Sequence, residues 1–343
     1  MSARATRLRA LVTLTVTAAA LATLALPASA ARTTAAGQCP SRPDSTPAAA
    51  TAGAATTQAR TITIDDKCAY PESVAVDHEY IYTGNISTGT IYRGKIGART
   101  LEPFLPGGQD GRGKATGIKT TGNRLLVAGA FDGNFFVYTK AGKLVSAYRV
   151  PNAGEQTLVN DAAVAPNGDV YVTDSFRAVV YRIPAAEVHA PATGAHRTLQ
   201  AAYRLPDYVA DQSNGNGIVA GPDGGSLIIG YWYSGALYRL DLATGGIRKI
   251  DAPPLHGADG IARRGNTLYI ARSEDNTIVT ARLSGDGASA TVVSERTYPG
   301  ADTTTGVAVL GNRLLVTNSQ MDTYLYQKPL TSPVFTLASL PLH

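Results

Sequence analysis

The chain has 343 residues, with 31 lysines and arginines against 26 acids and a formal net charge of +5. Three of those arginines, Arg4, Arg7 and Arg9, lie in the first 30 residues, which hold no acid, so the rest of the chain is close to neutral at +2. With no basic block to add to that balance, a nucleic-acid partner is not expected, and two cysteines without a histidine cluster do not make a zinc module.

The first element is not part of a fold. The three arginines precede an apolar run from Leu11 to Leu26, and Ala28-Ser29-Ala30 reads as a small-residue cleavage site. This is the pattern of a secretory signal peptide over residues 1–30, and the run is too short to be read as a membrane span. The expected product begins near Ala31, is secreted, and has no membrane attachment. Residues 31–60 are rich in Ala, Thr, Pro and Ser and lack the large apolar residues that bury a core, so they read as a low-complexity leader. Cys39 and Cys68 both follow the signal, and an oxidising compartment predicts a disulfide between them.

From 61 to 343 one pattern recurs. Pro71-Glu72-Ser73-Val74, Ala115-Thr116-Gly117-Ile118, Val159-Asn160-Asp161-Ala162, Gly215-Asn216-Gly217-Ile218, Ala258-Asp259-Gly260-Ile261 and Thr304-Thr305-Gly306-Val307 share a polar second position. The intervals between those positions are 44, 44, 56, 43 and 46 residues. A period of that length, filled with short strands and Gly/Asn/Asp turns, predicts an all-β, six-bladed β-propeller with four-stranded antiparallel blades around a central channel. The second repeat shows the grammar. Strands are read from Gly117, over Arg124–Ala128, over Phe135–Tyr138 and from Leu144 to Val150, with turns at Thr121-Gly122-Asn123, Phe131–Asn134 and Ala141–Lys143. In the last repeat Leu314–Val316 and Tyr324–Tyr326 read as strands. Closing the ring needs a strand from one chain end, and Thr61–Ile64 and Phe335–Ala338 both have that character. The long interval holds Pro184 to Ser213, which reads as an extended surface loop, either a substrate lid or a disordered excursion.

The polar position opens the innermost strand of each repeat, so Glu72, Thr116, Asn160, Asn216, Asp259 and Thr305 should converge on the channel. Two carboxylates and two amides are oxygen donors of the kind a hard divalent cation takes. The alternative is a polar lining that solvates the channel, which suits Thr116 and Thr305 best. Phe131, Tyr231, Trp232 and Tyr233 sit at second-strand ends on the same side, where they either offer an apolar pocket or cap the sheets. His256 precedes Asp259 by three residues and is either an acid/base at the mouth or a solvated loop histidine. Ser175, Ser273 and Ser319 have no adjacent histidine and no Gly-x-Ser-x-Gly elbow, which argues against a serine triad.

Pro71-Glu72-Ser73, Val159-Asn160-Asp161, Asn216-Gly217 with Pro222-Asp223-Gly224, and Asp259-Gly260 together resemble the metal-site motifs of the regucalcin/gluconolactonase (senescence marker protein) family. The resemblance runs from about residue 61 to the end. It implies a divalent cation, Ca²⁺ first, held by Glu72, Asn216 and Asp259. Asn160 would complete the site or meet the substrate, and Asp259 would double as the proton-transfer group. Sugar-lactone hydrolases of the family often carry an arginine two residues before the asparagine-aspartate pair, whereas here that residue is Leu158. A small substrate bound with the help of Asn160, Trp232, Phe131 and His256 would therefore be more apolar than a sugar acid. The expected function is metal-dependent hydrolysis of lactones or esters by a monomer. The alternative is a non-catalytic propeller that binds a small molecule or cell-wall component and keeps the ion as a structural element. Streptogramin-lyase-like and strictosidine-synthase-like propellers share this architecture, but no histidine pattern here favours the lyase.

Overall fold

The computed structural model describes residues 59–152 and 154–342. Its strands form a series of antiparallel sheets, each built from consecutive segments. After β1 (Arg60–Ile64), the first sheet is β2 (Pro71–Val76), β3 (Tyr80–Asn85), β4 (Ile91–Lys95) and β5 (Thr100–Leu105). The next is β6 (Ile118–Thr121), β7 (Arg124–Ala128), β8 (Asn134–Thr139) and β9 (Leu144–Arg149). Then come β10 (Val159–Val164), β11 (Val170–Asp174) and β12 (Val179–Ile183), followed by a short helix α1 (Ala185–Val188), β13 (Ala195–Thr198) and β14 (Gln200–Arg204). β14 completes the sheet of β10–β12, while β13 adds in parallel to the outer edge of β9.

Two further sheets follow in order. One is β15 (Gly215–Ala220), β16 (Ser226–Tyr231), β17 (Leu237–Asp241) and β18 (Ile247–Lys249). The other is β19 (Ala258–Arg264), β20 (Thr267–Arg272), β21 (Thr277–Leu283) and β22 (Ala290–Arg296). The last contains β23 (Val307–Leu310), β24 (Arg313–Asn318) and, after helix α2 (Met321–Tyr326), β25 (Thr336–Pro341).

Alternation at period two explains how the sheets stack. Leu125 and Val127 of β7 face the first sheet with Tyr82 and Ile91, while Leu126 and Ala128 face the third with Val159, Val170 and Val172. Each sheet therefore feeds two apolar layers. The inner strands touch in the cycle β2–β6–β10–β15–β19–β23 and back to β2, which makes the fold a β-propeller.

The ring is closed by the N-terminal strand. β1 pairs antiparallel with β25, Ile62 opposite Leu337, and its end also runs parallel to β5 at Thr63–Thr100 and Ile64–Leu101. The C-terminal candidate becomes the third strand of that sheet instead. This displaces the expected Tyr324–Tyr326 strand, which is part of α2. Gln320 and Gln327 flank the helix in the left-handed region, and Pro329 and Pro333 lie between it and β25.

The long interval forms α1, β13 and β14 at the outer rim, where Arg124 holds the carbonyls of Val188, His189 and Ala190, and then a segment from Leu205 to Ser213 tied through Pro206 to Tyr231 and through Val209 to Asn214. Cys68 is disulfide-bonded, and the expected partner Cys39 lies outside the described residues, as do the signal segment and most of the leader. Among the described residues no helix is long and apolar enough to cross a membrane.

Candidate functional site

A backbone irregularity builds the site. The pairing of β2 with β3 skips the two residues between Pro71 and Val74. The same skip falls between Val159 and Ala162, between Gly215 and Ile218, and between Ala258 and Ile261. The skipped pairs are Glu72-Ser73, Asn160-Asp161, Asn216-Gly217 and Asp259-Gly260. A bulge of this kind turns a side chain out of the sheet's two faces, here toward the axis.

The second residue of each pair lies where neighbouring inner strands nearly touch. A Cβ on Gly217 would lie 2.0 Å from the Asp259 carbonyl oxygen, and one on Gly117 would lie 2.4 Å from that of Asn160. Gly117 N–H donates to the Asn160 carbonyl at 2.7 Å, and Gly260 N–H to that of Thr305 at 2.7 Å. Thr116 donates its hydroxyl to the Val159 carbonyl at 3.0 Å and Thr305 to the Glu72 carbonyl at 2.5 Å. These two threonines are spent on tying the inner strands together.

Glu72, Asn160, Asn216 and Asp259 line one cavity, joined by Asp161. It is small, about 10 Å³, room for a single water or ion. All four side chains are buried, Glu72 and Asp259 at 7% exposure each. Burial pushes the Glu72 carboxyl well above the ordinary carboxylate range, Asp259 and Asp161 add to the rise, and Lys119 opposes it. Burial raises Asp259 as well, hydrogen bonding with Ser273 and Asn216 pulls back, and Asp161 pushes further. Asn160 donates its amide to Ser175 Oγ at 3.2 Å, which leaves its carbonyl oxygen as the end free for the cavity. Asp161 carries an ion pair to Lys119 at 2.6 Å. The repeat reading passed over both residues of that pair, although each departs visibly from its equivalents in the other repeats.

The mouth differs in part from expectation. Trp232 is half-buried and donates its indole N–H to Ser273 Oγ at 2.8 Å. Tyr231 is core, its ring 4.5 Å from Tyr238 and its hydroxyl on the Pro206 carbonyl. Tyr233 is exposed. Phe131 packs 6.0 Å from Phe176, in one apolar cluster with Leu158 and with Met321, Tyr324 and Leu325 of α2. Lys114 reaches Tyr324 Oη at 2.9 Å. Neither α2 nor Lys114 was signalled by the repeat. His256 is exposed, and its Nδ1 lies 3.0 Å from the Tyr233 carbonyl, so that nitrogen carries the hydrogen. Ser175 and Ser319 donate to the carbonyls of Gly215 and Thr303, so their hydroxyls are engaged as structural ties.

The donor chemistry fits a hard cation. Among the described residues no three His, Cys, Asp or Glu side chains form a metal-binding group, so a site needs the amide oxygens beside the acids. It has them, together with one telling feature. Glu72, 7% exposed, lines the ion-sized cavity together with Asp259 and Asp161. Carboxylates buried side by side are costly unless a cation or a proton offsets their charge.

No protein-family model and no curated protein matches the chain. Solved structures do. The Malassezia sympodialis allergen Mala s 1 superposes with a TM-score of 0.61 at 16% identity, covering 82% of this chain and 95% of that one. Virginiamycin B lyase from Staphylococcus aureus gives 0.56 at 13% identity over 83% and 99%. A calcium-binding regucalcin from Agrobacterium tumefaciens gives 0.55 at 17% identity over 81% and 94%. At these identities the likeness is one of fold, and the fold is a β-propeller.

Proposed function

We propose that the chain is an exported, six-bladed propeller of the regucalcin/gluconolactonase type that hydrolyses lactones or esters with a divalent cation. The blade count rests on the six-membered cycle of inner strands. The observation that carries the activity is the convergence of Glu72, Asn160, Asn216 and Asp259 on one ion-sized cavity. Glu72, Asn216 and Asp259 would hold the ion, with the Asn160 carbonyl beside them, and Ca²⁺ suits this oxygen set. When bound, such an ion polarises a carbonyl and acidifies a bound water.

The chain's own residues do the rest. Asp259 accepts and returns the proton, and burial has already raised its affinity for one. Ser273, itself held by the Trp232 indole, favours the charged form of Asp259. Leu158 stands where a charged partner for a sugar acid would be expected, and it packs in one apolar cluster with Phe131 and Phe176, so an apolar acyl or aryl group is the substrate we propose. The test is turnover of a panel of aryl esters and lactones with and without EDTA, alongside ion analysis of the purified protein. EDTA-sensitive hydrolysis supports the proposal. A bound ion without turnover on any substrate class assigns the protein to the second reading.

That second reading is a binding propeller with a structural ion. The size of the cavity favours it: there is room for an ion at the ring but not for a lactone beside it.

A further inference from the structure

Two residues of the inner ring break the repeat, and they break it together. At the position after the polar residue four repeats carry glycine (Gly117, Gly217, Gly260, Gly306) and one carries Ser73, but the third carries Asp161. Two residues further along, the repeats carry Ala75, Ala163, Val219, Ala262 and Ala308, but the second carries Lys119. These departures sit on neighbouring inner strands and meet in an ion pair of 2.6 Å, with the Lys119 side chain 24% exposed and that of Asp161 6%. Asp161 also lines the cavity, and its second carboxylate oxygen lies 3.4 Å from the Ile218 N–H. Lys119 does not line the cavity but acts on Glu72 through space, opposing the acids.

We infer that the Lys119–Asp161 pair sets the charge of the channel and thereby selects ions by valence. The inference rests on the cation site proposed above. With Glu72, Asp161 and Asp259 ionised the cavity would carry three negative charges, and Lys119 brings the sum to two, which matches a divalent ion. A fixed ammonium a short distance behind the ligands repels every cation in proportion to its charge, so it penalises a trivalent ion more than a divalent one. At an effective dielectric near 20 and a separation of roughly 10 Å, one unit of ion charge is worth on the order of tenfold in affinity. The pair would thus act on selectivity without contributing a ligand from Lys119.

The experiment is calorimetric titration of the full chain with Ca²⁺ and with Tb³⁺. Lys119→Met should raise the preference for Tb³⁺ over Ca²⁺ by on the order of tenfold, and Asp161→Asn should lower it by a similar factor. The double variant Lys119→Ala with Asp161→Gly puts the residue types of the other repeats at both positions and should return the wild-type ratio. A pair that only ties strands together would lower the melting temperature of the cation-free protein and leave the ratio alone. Unchanged ratios in both single variants, with wild-type Ca²⁺ binding intact, would overturn this inference and spare the metal reading. Absence of cation binding by the wild type would overturn both. If Lys119→Met does not fold, Asp161→Asn, which keeps the shape of the side chain, decides the matter alone.

Discussion

The indole of Trp232 donates to the hydroxyl of Ser273 at 2.8 Å, and Ser273 is among the groups that hold the Asp259 carboxyl down against the rise from burial. Trp232 is the only tryptophan in the chain. Its emission therefore reports on the channel without any label. Titration with Ca²⁺ is expected to shift or quench it, and Ser273→Ala should remove most of that response while leaving the fold intact. A flat titration in a wild-type protein shown by calorimetry to bind the ion would disprove the coupling.

Asp259→Asn preserves most of the shape of the side chain but removes a ligand charge and the proton acceptor. Turnover is expected to fall on the order of 10²-fold or more, with weaker cation binding. Asn216→Ala should act mainly through ion affinity, so excess Ca²⁺ should restore part of its activity. Thr116→Ala should leave ion binding unchanged and cost about 1 kcal/mol of stability, because its hydroxyl serves the Val159 carbonyl. Wild-type ion content and wild-type activity in Asp259→Asn would remove the enzymatic proposal.

Arg112 is fully buried. It donates to the carbonyls of Gly89 at 2.6 Å, Pro106 at 2.9 Å and Leu105 at 3.3 Å, and to the Tyr138 hydroxyl. The guanidinium fork spans all four, as a single ammonium cannot. Arg112→Ala leaves several buried acceptors unpaired and should destabilise the fold by about 3 kcal/mol or more. Arg112→Lys should recover only a small part. Denaturant midpoints of the two variants provide the check.

Asp77 and Lys140 pair at 2.8 Å. Burial alone would raise Asp77, but hydrogen bonds from Lys140 and from the N–H groups of Glu79 and Tyr80, with the charge of Lys140, hold it down to about 2. A depressed folded-state pKa means that the stabilisation is complete above the unfolded value near 3.9 and is lost as pH falls toward 2. Asp77→Asn should therefore destabilise the protein at pH 6, and its deficit should shrink steadily between pH 4 and pH 2. A deficit independent of pH would assign the effect to packing.

The architecture was readable because each repeat places a polar residue and then a small one at the same step. The glycine that follows four of the six polar residues marks where inner strands approach too closely for a Cβ, but it does not single out the site, since Glu72 and Asn160 are followed by Ser73 and Asp161. What the repeat could not carry was everything that departs from it. Tyr324-Leu325-Tyr326 has strand composition, and only the left-handed turn at Gln320 and the later pairing of β24 with β25 make it helical. Both chain ends have β character, so the choice between them is decided by pairing partners far apart in sequence. Lys119 and Asp161 each depart from their equivalents in the other repeats, but that the two departures belong together shows only once neighbouring strands place them 2.6 Å apart.

The pairing of β1 with β25 joins the first described strand of the chain to the last. The edge of Arg60–Ile64 stays unmatched until Thr336–Pro341 is available to pair with it. The ring cannot lock before that pairing forms, so its closure depends on a contact between strands far apart in sequence. Deleting residues 60–64 should leave the other sheets able to form but the circle unsealed. Such a product would expose the edge of β25 and associate through it rather than remain as separate molecules.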